Sequence, residues 1–339
     1  MKIAIIDDYQ DGVRQLECMH LLAGHEVKVF TSSARGLGQL AIRLAPFDAI
    51  VLIRERTALP RALLAKLPKL KLIAQTGKVS GHINVSAATE HGIAIAEGVG
   101  SPVAPAELTW ALIMAASRKI VPYAANLKDG LWQTASTNPV LNGLGRVLRG
   151  RTLGVWGYGK IGKLVAGYGR AFGMEVLVWG SEASRHAAVL DGCEAALSRA
   201  QLFERADVLT LHLRLADSTR GVVGAEDLAR MKPDALFVNT SRAELVAEGA
   251  LEAALHAGRP GAAALDVFHS EPLAADAALL RIPTVLATPH LGYVEKDSYE
   301  LYFMAAFENI VNFAAGNPTN ILNPQALSDR EAGPTQPSS

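Results

Sequence analysis

Short runs of apolar, often β-branched residues alternate with longer amphipathic stretches along most of the chain. In the first hundred residues these runs lie at 2–6, 26–30, 49–53, 71–74 and 93–96. Their continuous apolar character is typical of strands that are buried on both faces of a sheet. Between them, the stretch 59–67 predicts a helix, with Pro60 near its first turn. Alternating strands and helices indicate parallel strands joined by crossover helices, and therefore a layered α/β unit.

A second series of the same kind begins near residue 152. Its candidate strands lie at 152–156, 175–179, 207–213, 235–239, 262–267 and 284–287. Its candidate helices lie at 160–172, 225–231 and 245–256, and a long helix is predicted before the series at 105–118. Gly258 suits the position that often follows a helix, and residues 136–149 predict a loop. Six strands suit a doubly wound sheet, so we expect two domains, as the length of 339 residues also suggests.

Composition and charge exclude several classes of function. The 33 Lys and Arg residues balance 33 Asp and Glu residues, so no nucleic-acid partner is expected. The most apolar long stretch, 108–117, is too short to span a bilayer, and Asp7 and Asp8 interrupt the apolar N-terminus; neither a membrane span nor a secretion signal is expected. The two widely separated cysteines, Cys18 and Cys193, favour a cytoplasmic protein without disulfides. The histidines lack the spacing of common metal motifs, and no metal site is expected.

The strongest local motif is a glycine-rich turn between a candidate strand and a candidate helix. It consists of Gly157, Tyr158, Gly159, Lys160, Ile161 and Gly162. Gly157 permits a tight turn, Gly159 lets the backbone approach a pyrophosphate, and Gly162 lets the helix pack on the strand. The backbone N–H groups and the helix N-terminus favour an anion. In this context the motif predicts a dinucleotide site.

The choice between NAD and NADP stays open, with NAD(H) slightly favoured. Where the second strand of this unit ends, the chain has Gly180 in place of the acidic residue that usually accepts from the ribose. Glu182, about 20 residues after the glycine turn, could reach the ribose hydroxyls instead. Alternatively, Ser181 or Arg185 could bind a 2′-phosphate. Glu182 would oppose such a phosphate, and this favours NAD.

Three polar residues follow candidate strands of the second series: Arg242, Glu271 and His290. In open α/β sheets the ligand crevice lies beyond the carboxyl ends of the strands, so these side chains can converge there. An arginine can bind the carboxylate of a 2-keto acid and polarise the adjacent carbonyl. A histidine can donate the proton that the developing alkoxide needs, and a hydrogen-bonded carboxylate would favour the imidazolium and fix its orientation. The residue types therefore suit the reduction of a 2-keto acid by a nicotinamide cofactor.

Several motifs in one order identify a family. The segments TLGVWGYGKIG, LHLRLADSTRG, ARMKPDALFVNTSRAELV, GAAALDVFHSEPL and TPHLG resemble the D-isomer-specific 2-hydroxyacid dehydrogenases, over about residues 1–324. The resemblance implies that Arg242 binds and polarises the substrate, that Glu271 supports the base, and that His290 is the acid/base. It also implies cofactor contacts, with Asp266 positioning the nicotinamide amide. The other residues placed near the cofactor are His212, Thr240, Ser241 and Gly292, although a capping or core role suits His212 equally well.

The resemblance also implies an α/β architecture of two Rossmann- or flavodoxin-like domains, with doubly wound parallel sheets and the active site in a cleft between them. The substrate domain would be discontinuous, formed by 1–102 and 291–324, and the NAD(P)-binding Rossmann domain would be 103–290. Residues 325–339 are expected to be a frayed tail, without a C-terminal regulatory domain. The segment AELTWALIMAASR resembles the dimer-forming region of the family, so a homodimer is expected.

The predicted substrate loop departs from the family pattern. It reads GKVSGHIN from Gly77, where the family often has G-x-G-x-D-N-I-D. The backbone N–H groups of Lys78 and Val79 could still hold a substrate carboxylate. Because Lys78 and Arg56 are positively charged, a phosphorylated or dicarboxylic substrate stays possible. Either cation could instead be a solvated surface residue.

The predicted function is that of an NAD(P)-dependent oxidoreductase acting on CH–OH, which transfers a hydride between the cofactor and a small D-2-hydroxy acid or 2-keto acid. The alternative is an NAD-sensing regulator of the same fold that has no enzymatic activity. The presence of Arg242, Glu271 and His290, and the lack of a basic block, favour the enzyme. A different Rossmann enzyme, such as a methyltransferase, would leave these three residues unexplained.

Overall fold

The computed structural model describes residues 1–133 and 142–331, and the chain divides into two compact units. The first unit comprises Met1–Ser101 and the chain from Glu295 onward, and the second comprises Pro102–Val294. Residues 291–294, assigned from the sequence to the first domain, lie in the second unit. The reason is local, because the buried carboxylate of Asp266 accepts hydrogen bonds from the backbone N–H groups of Leu291 and Gly292.

The first unit contains a five-stranded parallel sheet with the strand order β2-β1-β3-β4-β5. Its strands are β1 (Lys2–Ile6), β2 (Glu26–Val29), β3 (Ala49–Leu52), β4 (Leu72–Gln75) and β5 (Ala94–Ala96). Its first helices are α1 (Gly36–Leu44), α2 (Arg61–Leu64) and α3 (Val85–Glu90). Every residue of β3 and β4 is buried, as their apolar runs predict. The strand order puts the topological switch between β1 and β3, where ligands of such sheets bind beyond the carboxyl ends.

Helix α2 is shorter than the predicted helix at 59–67. Leu59 does not join it, because its N–H donates to the carbonyl of His82 and its carbonyl accepts from the N–H of Asn84. This pairing with a distant segment outweighs the local helical pattern at the start of the stretch.

The second unit begins with the helices α4 (Val103–Ser117) and α5 (Ile120–Lys128) and contains a seven-stranded parallel sheet in the order β12-β11-β10-β9-β6-β7-β8. Its strands are β6 (Thr152–Trp156), β7 (Glu175–Trp179), β8 (Glu194–Ala195), β9 (Val208–Leu211), β10 (Leu236–Asn239), β11 (Ala262–Leu265) and β12 (Val285–Ala287). Its other helices include α6 (Lys160–Ala171), α7 (Glu182–Leu190), α8 (Arg199–Arg205), α9 (Ala225–Ala229) and α10 (Ala250–His256). The doubly wound order confirms the predicted fold class.

Two features of this sheet differ from the sequence prediction. The strand β8 is a seventh strand, and the helix predicted at 245–256 begins only at Ala250. The chain before Ala250 pairs with Val223, whose N–H donates to the carbonyl of Leu245 and whose carbonyl accepts from Ala247. Gly249 then takes a positive φ of 73° to start the helix.

The chain returns to the first unit through α11 (Lys296–Ala314) and α12 (Gln325–Glu331). Residues 325–331 are therefore helical rather than a frayed tail, and residues 332–339 lie outside the described residues. The side chain of Asn323 anchors the chain just before this helix. Its amide donates to the carbonyl of Ile93, and its oxygen accepts from the N–H of Ile95. Ala326 is fully buried one turn later.

Of the loop predicted at 136–149, residues 136–141 lie outside the described residues.

No helix within 1–133 and 142–331 has the length and apolar character needed to cross a bilayer.

Candidate active site

The glycine turn joins β6 to α6, and its first and last glycines leave no room for a side chain. Gly157 has a φ of 102°, and a Cβ atom at this position would lie 2.5 Å from the carbonyl oxygen of His212. A Cβ atom at Gly162 would overlap the carbonyl oxygen of Gly157. Only glycine fits at both positions, because a side chain at Gly157 would meet the chain after β9 and a side chain at Gly162 would push α6 away from the turn.

Gly159 differs from these two glycines. It precedes the first residue of α6 in an extended conformation, and a Cβ atom there would meet nothing within 4 Å. The open space lies at the N-terminus of a 12-residue helix, whose free N–H groups favour an anion. The turn therefore fits the pyrophosphate of a dinucleotide. Lys160 is exposed and Ile161 half-buried, while the buried Tyr158 donates to a carboxylate oxygen of Asp191 at 3.1 Å.

Charges of both signs lie where β7 ends. Ser181 caps α7 by accepting from the N–H of Ser184 at 3.3 Å, and Glu182 is exposed in the first turn. The guanidinium of Arg185 stacks on the indole of Trp179 at 4.8 Å, and its buried Nε has no hydrogen-bond partner among the described residues. The carboxylate of Glu182 and the guanidinium of Arg185 are thus the two charged groups of the predicted ribose site.

His290 and Glu271 form a hydrogen-bonded pair. His290 Nδ1 donates to Glu271 Oε2 at 2.6 Å, and Glu271 Oε1 accepts from the N–H of Phe268 at 2.9 Å. Burial opposes the ionisation of Glu271, but these hydrogen bonds and the positive charges of His290 and Arg242 hold its pKa below the ordinary value. His290 Nε2 has no hydrogen-bond partner within the described part of the chain. The pair therefore leaves one ring nitrogen to exchange a proton.

The fully buried carboxylate of Asp266 fixes the segment that carries His290. It accepts from Thr288 Oγ1 at 2.6 Å, from the N–H of Leu291 at 2.7 Å and from the N–H of Gly292 at 2.8 Å. Burial raises the pKa of Asp266, although these hydrogen bonds oppose the shift. His290 lies between these contacts with a φ of 52°, a conformation that residues other than glycine rarely adopt. In this structure Asp266 and Gly292, both predicted to contact the cofactor, bind each other.

Arg242 follows β10 and lies within electrostatic reach of the pair. Its Nη1 donates to the carbonyl of Ser241 at 2.7 Å, and its charge lowers the pKa of Glu271. The side chain of Asn239 fixes the turn, since it donates to the carbonyl of Arg242 and accepts from the N–H of Ser241. The carboxyl ends of β10, β11 and β12, which are neighbours in the sheet, thus bring together Arg242, Glu271 and His290.

The remaining predicted cofactor residues of this unit support its loops. Ser241 Oγ donates to the carbonyl of Leu213 at 2.7 Å, and Thr240 Oγ1 lies 2.6 Å from Thr109 Oγ1. His212 Nε2 lies 3.0 Å from Thr210 Oγ1, and the carbonyl of His212 faces the glycine turn. Burial of the imidazole lowers the pKa of His212 to about 4, so the ring is neutral at neutral pH. The residue as a whole is half-buried.

In the first unit, the side-chain carboxylate of Glu97 binds the predicted substrate loop. Glu97 Oε1 accepts from the N–H of Val79 at 2.9 Å, and Glu97 Oε2 accepts from Lys78 Nζ at 2.9 Å. One of the two N–H groups predicted to hold a substrate carboxylate is therefore bonded to the protein.

The guanidinium beside this loop belongs to Arg54. Its Nη1 donates to the carbonyl of Thr76 at 3.4 Å and fills the space next to Gly77, so that a side chain at Gly77 would overlap it. Arg56 instead donates to the carbonyl of Asp7 at 2.6 Å and to Tyr299 Oη at 3.1 Å. Arg54 is the second residue after β3, and this position at the carboxyl end of a strand was the sequence signal that could have identified it.

A family model described as the NAD binding domain of D-isomer specific 2-hydroxyacid dehydrogenases matches residues 110–292, more than half of the chain. The chain belongs to this family. It is accordingly an NAD-dependent oxidoreductase that acts on the CH–OH group of 2-hydroxy acids, as its sequence motifs predict.

Relatives of this dehydrogenase carry several names. It is 38% identical over 275 residues to a glyoxylate reductase of Aeropyrum pernix, covering 80% of this chain and 82% of the relative. It is 34% identical over 340 residues to a D-3-phosphoglycerate dehydrogenase of Methanocaldococcus jannaschii, covering 99% of this chain but only 62% of that relative. The solved structure of a phosphoglycerate oxidoreductase from Vibrio cholerae is 56% identical, with a TM-score of 0.90, and the match covers 93% of this chain and 99% of the other.

Proposed function

We propose that this dehydrogenase reduces a small 2-keto acid to the D-2-hydroxy acid with NADH, and that His290 donates the proton. The supporting observation is the 2.6 Å bond between His290 and Glu271, which leaves His290 Nε2 for the substrate. The nearby positive charge of Arg242 suits the carboxylate and the carbonyl oxygen of such a substrate.

Each residue then has a defined task. The nicotinamide, when bound, supplies the hydride. Arg242 binds the substrate carboxylate and polarises the carbonyl, and it stabilises the negative charge that develops on the carbonyl oxygen. His290 Nε2 gives its proton to this oxygen, while Glu271 holds the ring and stabilises the imidazolium. In the oxidation direction the same nitrogen accepts the proton from the hydroxyl.

We assign substrate-binding contacts in the first unit to the loop 77–79. Of the two predicted donors, the N–H of Lys78 remains for a carboxylate, since Val79 donates to Glu97. Arg54, which fills the space beside Gly77, adds a positive charge to this loop. Arg56 stays a predicted substrate residue, although its guanidinium is bonded to Asp7 and Tyr299.

The direct test is a screen of NADH oxidation with glyoxylate, hydroxypyruvate, pyruvate, phosphohydroxypyruvate and bulkier 2-keto acids. We expect turnover with at least one acid and a product of D configuration. Failure with every acid would overturn the proposed reaction.

We further propose a preference for NADH over NADPH. The exposed carboxylate of Glu182 lies in the first turn of α7, where it would repel a 2′-phosphate. Comparing kcat/KM for the two cofactors tests this preference. A hundredfold advantage for NADPH would assign the guanidinium of Arg185 to the phosphate and overturn the proposal.

The open space at Gly159 yields a prediction for cofactor binding. The substitution Gly159→Ala should leave the melting temperature close to that of the wild type, because the new methyl group meets no protein atom within 4 Å. It should raise the Kd for NADH by about tenfold or more, since the methyl would occupy space that we assign to the pyrophosphate. Gly167→Ala is the matched control, because Gly167 lies in α6 and also has no atom within 4 Å. Equal Kd values for the two variants would contradict this assignment.

We also propose that the enzyme is a homodimer and that α4 and α5 form its interface. Helix α5 exposes Ile120, Val121 and Leu127, and α4 exposes Val103 at its first residue. Exposed apolar side chains that form a large patch are typical of a protein interface. Light scattering at micromolar concentration should give twice the mass of one chain, and the mass of a monomer would rule the dimer out.

We place the enzyme in the cytoplasm, because its two cysteines, Cys18 and Cys193, are buried free thiols. Burial and the neighbouring Glu300 raise the pKa of Cys18 to about 12, which keeps it a thiol. Recovery of the protein from an extracytoplasmic fraction would contradict this location.

A further inference from the structure

Glu97 places a fixed negative charge in the loop that we assign to the substrate. Its carboxylate binds the N–H of Val79 and the ammonium group of Lys78, each at 2.9 Å. The side chain of Glu97 is 18% exposed, whereas that of Lys78 is 72% exposed. The protein therefore neutralises the lysine of its own substrate loop.

The backbone around Glu97 keeps this carboxylate in place. The N–H of Glu97 donates to the carbonyl of Asn320 at 3.0 Å, and its carbonyl accepts from Asn309 Nδ2 at 3.1 Å. The next residue, Gly98, donates to the carbonyl of Gly77 at 2.8 Å. Bonds on both sides therefore fix the backbone of Glu97 beside the loop, and its carboxylate can leave the loop only by breaking its bonds to Val79 and Lys78.

The charges of the loop are already balanced. Lys78 pairs with Glu97, and Arg54 Nε lies 3.9 Å from a carboxylate oxygen of Glu55. Burial opposes the ionisation of Glu97, but Lys78 and the N–H of Val79 hold its pKa below the ordinary value, so it is charged at neutral pH. A second anionic group that reached this loop would meet a paired lysine and a fixed carboxylate.

We propose that Glu97 makes this dehydrogenase select 2-keto acids that carry one negative charge over those that carry an additional phosphate or carboxylate. The inference rests on the proposed function, since it takes the loop 77–79 as a substrate-binding element. Glu97 acts in it as a specificity-determining residue that masks Lys78 and repels a second anion.

The test is Glu97→Gln, assayed with hydroxypyruvate and with phosphohydroxypyruvate. The glutamine keeps an oxygen that can accept from Val79, but it removes the charge and unmasks Lys78. The ratio of kcat/KM for the phosphorylated acid to that for the unphosphorylated acid should rise at least about threefold, and the rise should shrink with added salt. An unchanged ratio in a variant with the wild-type melting temperature would overturn the inference, as would an equal loss with both acids.

Two further variants separate charge from structure. Lys78→Gln, which leaves Glu97 without its cation, should lower the same ratio, and this keeps the inference testable if Glu97→Gln does not fold. The double variant Lys78→Gln/Glu97→Gln should bring the ratio back toward that of the wild type. Glu90→Gln, in the exposed pair with Arg61, is the control and should leave the ratio unchanged.

These assays distinguish a failure of the proposed function from a failure of the inference about Glu97. If the wild type reduces no 2-keto acid, the proposed function fails. If it reduces hydroxypyruvate and the ratio does not respond to Glu97→Gln or Lys78→Gln, only the inference about Glu97 fails.

Discussion

The substitution His290→Gln should lower kcat for 2-keto acid reduction by about 100- to 10,000-fold, with the Kd for NADH within about twofold of the wild-type value. Glutamine is polar and of comparable reach, but its amide cannot serve as a proton donor and acceptor near neutral pH. The glycine turn that we assign to the pyrophosphate of NADH is formed between β6 and α6, and His290 is not part of it. Steady-state kinetics with a 2-keto acid found in the screen, combined with fluorescence titration of NADH, would measure both quantities.

His256→Gln provides the control, because His256 is an exposed histidine at the end of α10. It should leave kcat unchanged. A His290→Gln enzyme with kcat within tenfold of the wild type would show that another group supplies the proton. In the wild type, reduction should fall at high pH and oxidation at low pH. Because the pKa of Glu271 is held below its ordinary value, its carboxylate stays ionised across the range in which histidines titrate.

The substitution Arg242→Gln should reduce kcat/KM for the 2-keto acid by about 1,000-fold. It removes both the charge that binds the substrate carboxylate and the donor that stabilises the developing oxyanion. The kcat/KM of Arg242→Lys should lie between those of the wild type and Arg242→Gln, because lysine keeps the charge but loses the planar fork that suits a carboxylate. The measurement is the same steady-state assay, with KM and kcat determined separately for each variant.

The turn around Arg242 should survive this change. Asn239 holds the backbone of Ser241 and Arg242 through its own side chain, so the circular dichroism spectrum should not change. Arg281→Gln, at an exposed position of the same unit, is the matched control. If Arg242→Gln retains kcat/KM within tenfold of the wild type, the substrate carboxylate is bound elsewhere.

The sheets could be predicted from the sequence where strands are long and apolar. The runs at 2–6, 152–156 and 175–179 coincide with β1, β6 and β7. The strand β8, with only Glu194 and Ala195, has no apolar run to reveal it, since its place depends on pairing with β7. The helical pattern at 245–256 likewise gave way to pairing of the chain with Val223, which lies far away in the sequence.

In the candidate site, too, some residues could be predicted from the local sequence and others depend on contacts with distant segments. Arg242, Glu271 and His290 each follow a strand, and the rule that ligands bind beyond carboxyl ends is sufficient to group them. Glu97 and Arg54 also follow strands, but their tasks depend on Lys78 and Gly77, which belong to the neighbouring strand's loop. Such pairings between loops depend on register and side-chain direction, and a single sequence does not carry this information directly.

The side chain of Asn323 links the end of the first unit to a strand made much earlier. It accepts from the N–H of Ile95, 228 positions before it in the chain. During synthesis on the ribosome, the second unit emerges as one uninterrupted stretch and can fold as soon as it is complete, whereas β5 must wait for residue 323. Until then the early strands lack α11 and α12, and they expose apolar surface that chaperones would recognise. The part of the enzyme that is made first is therefore the part that is finished last.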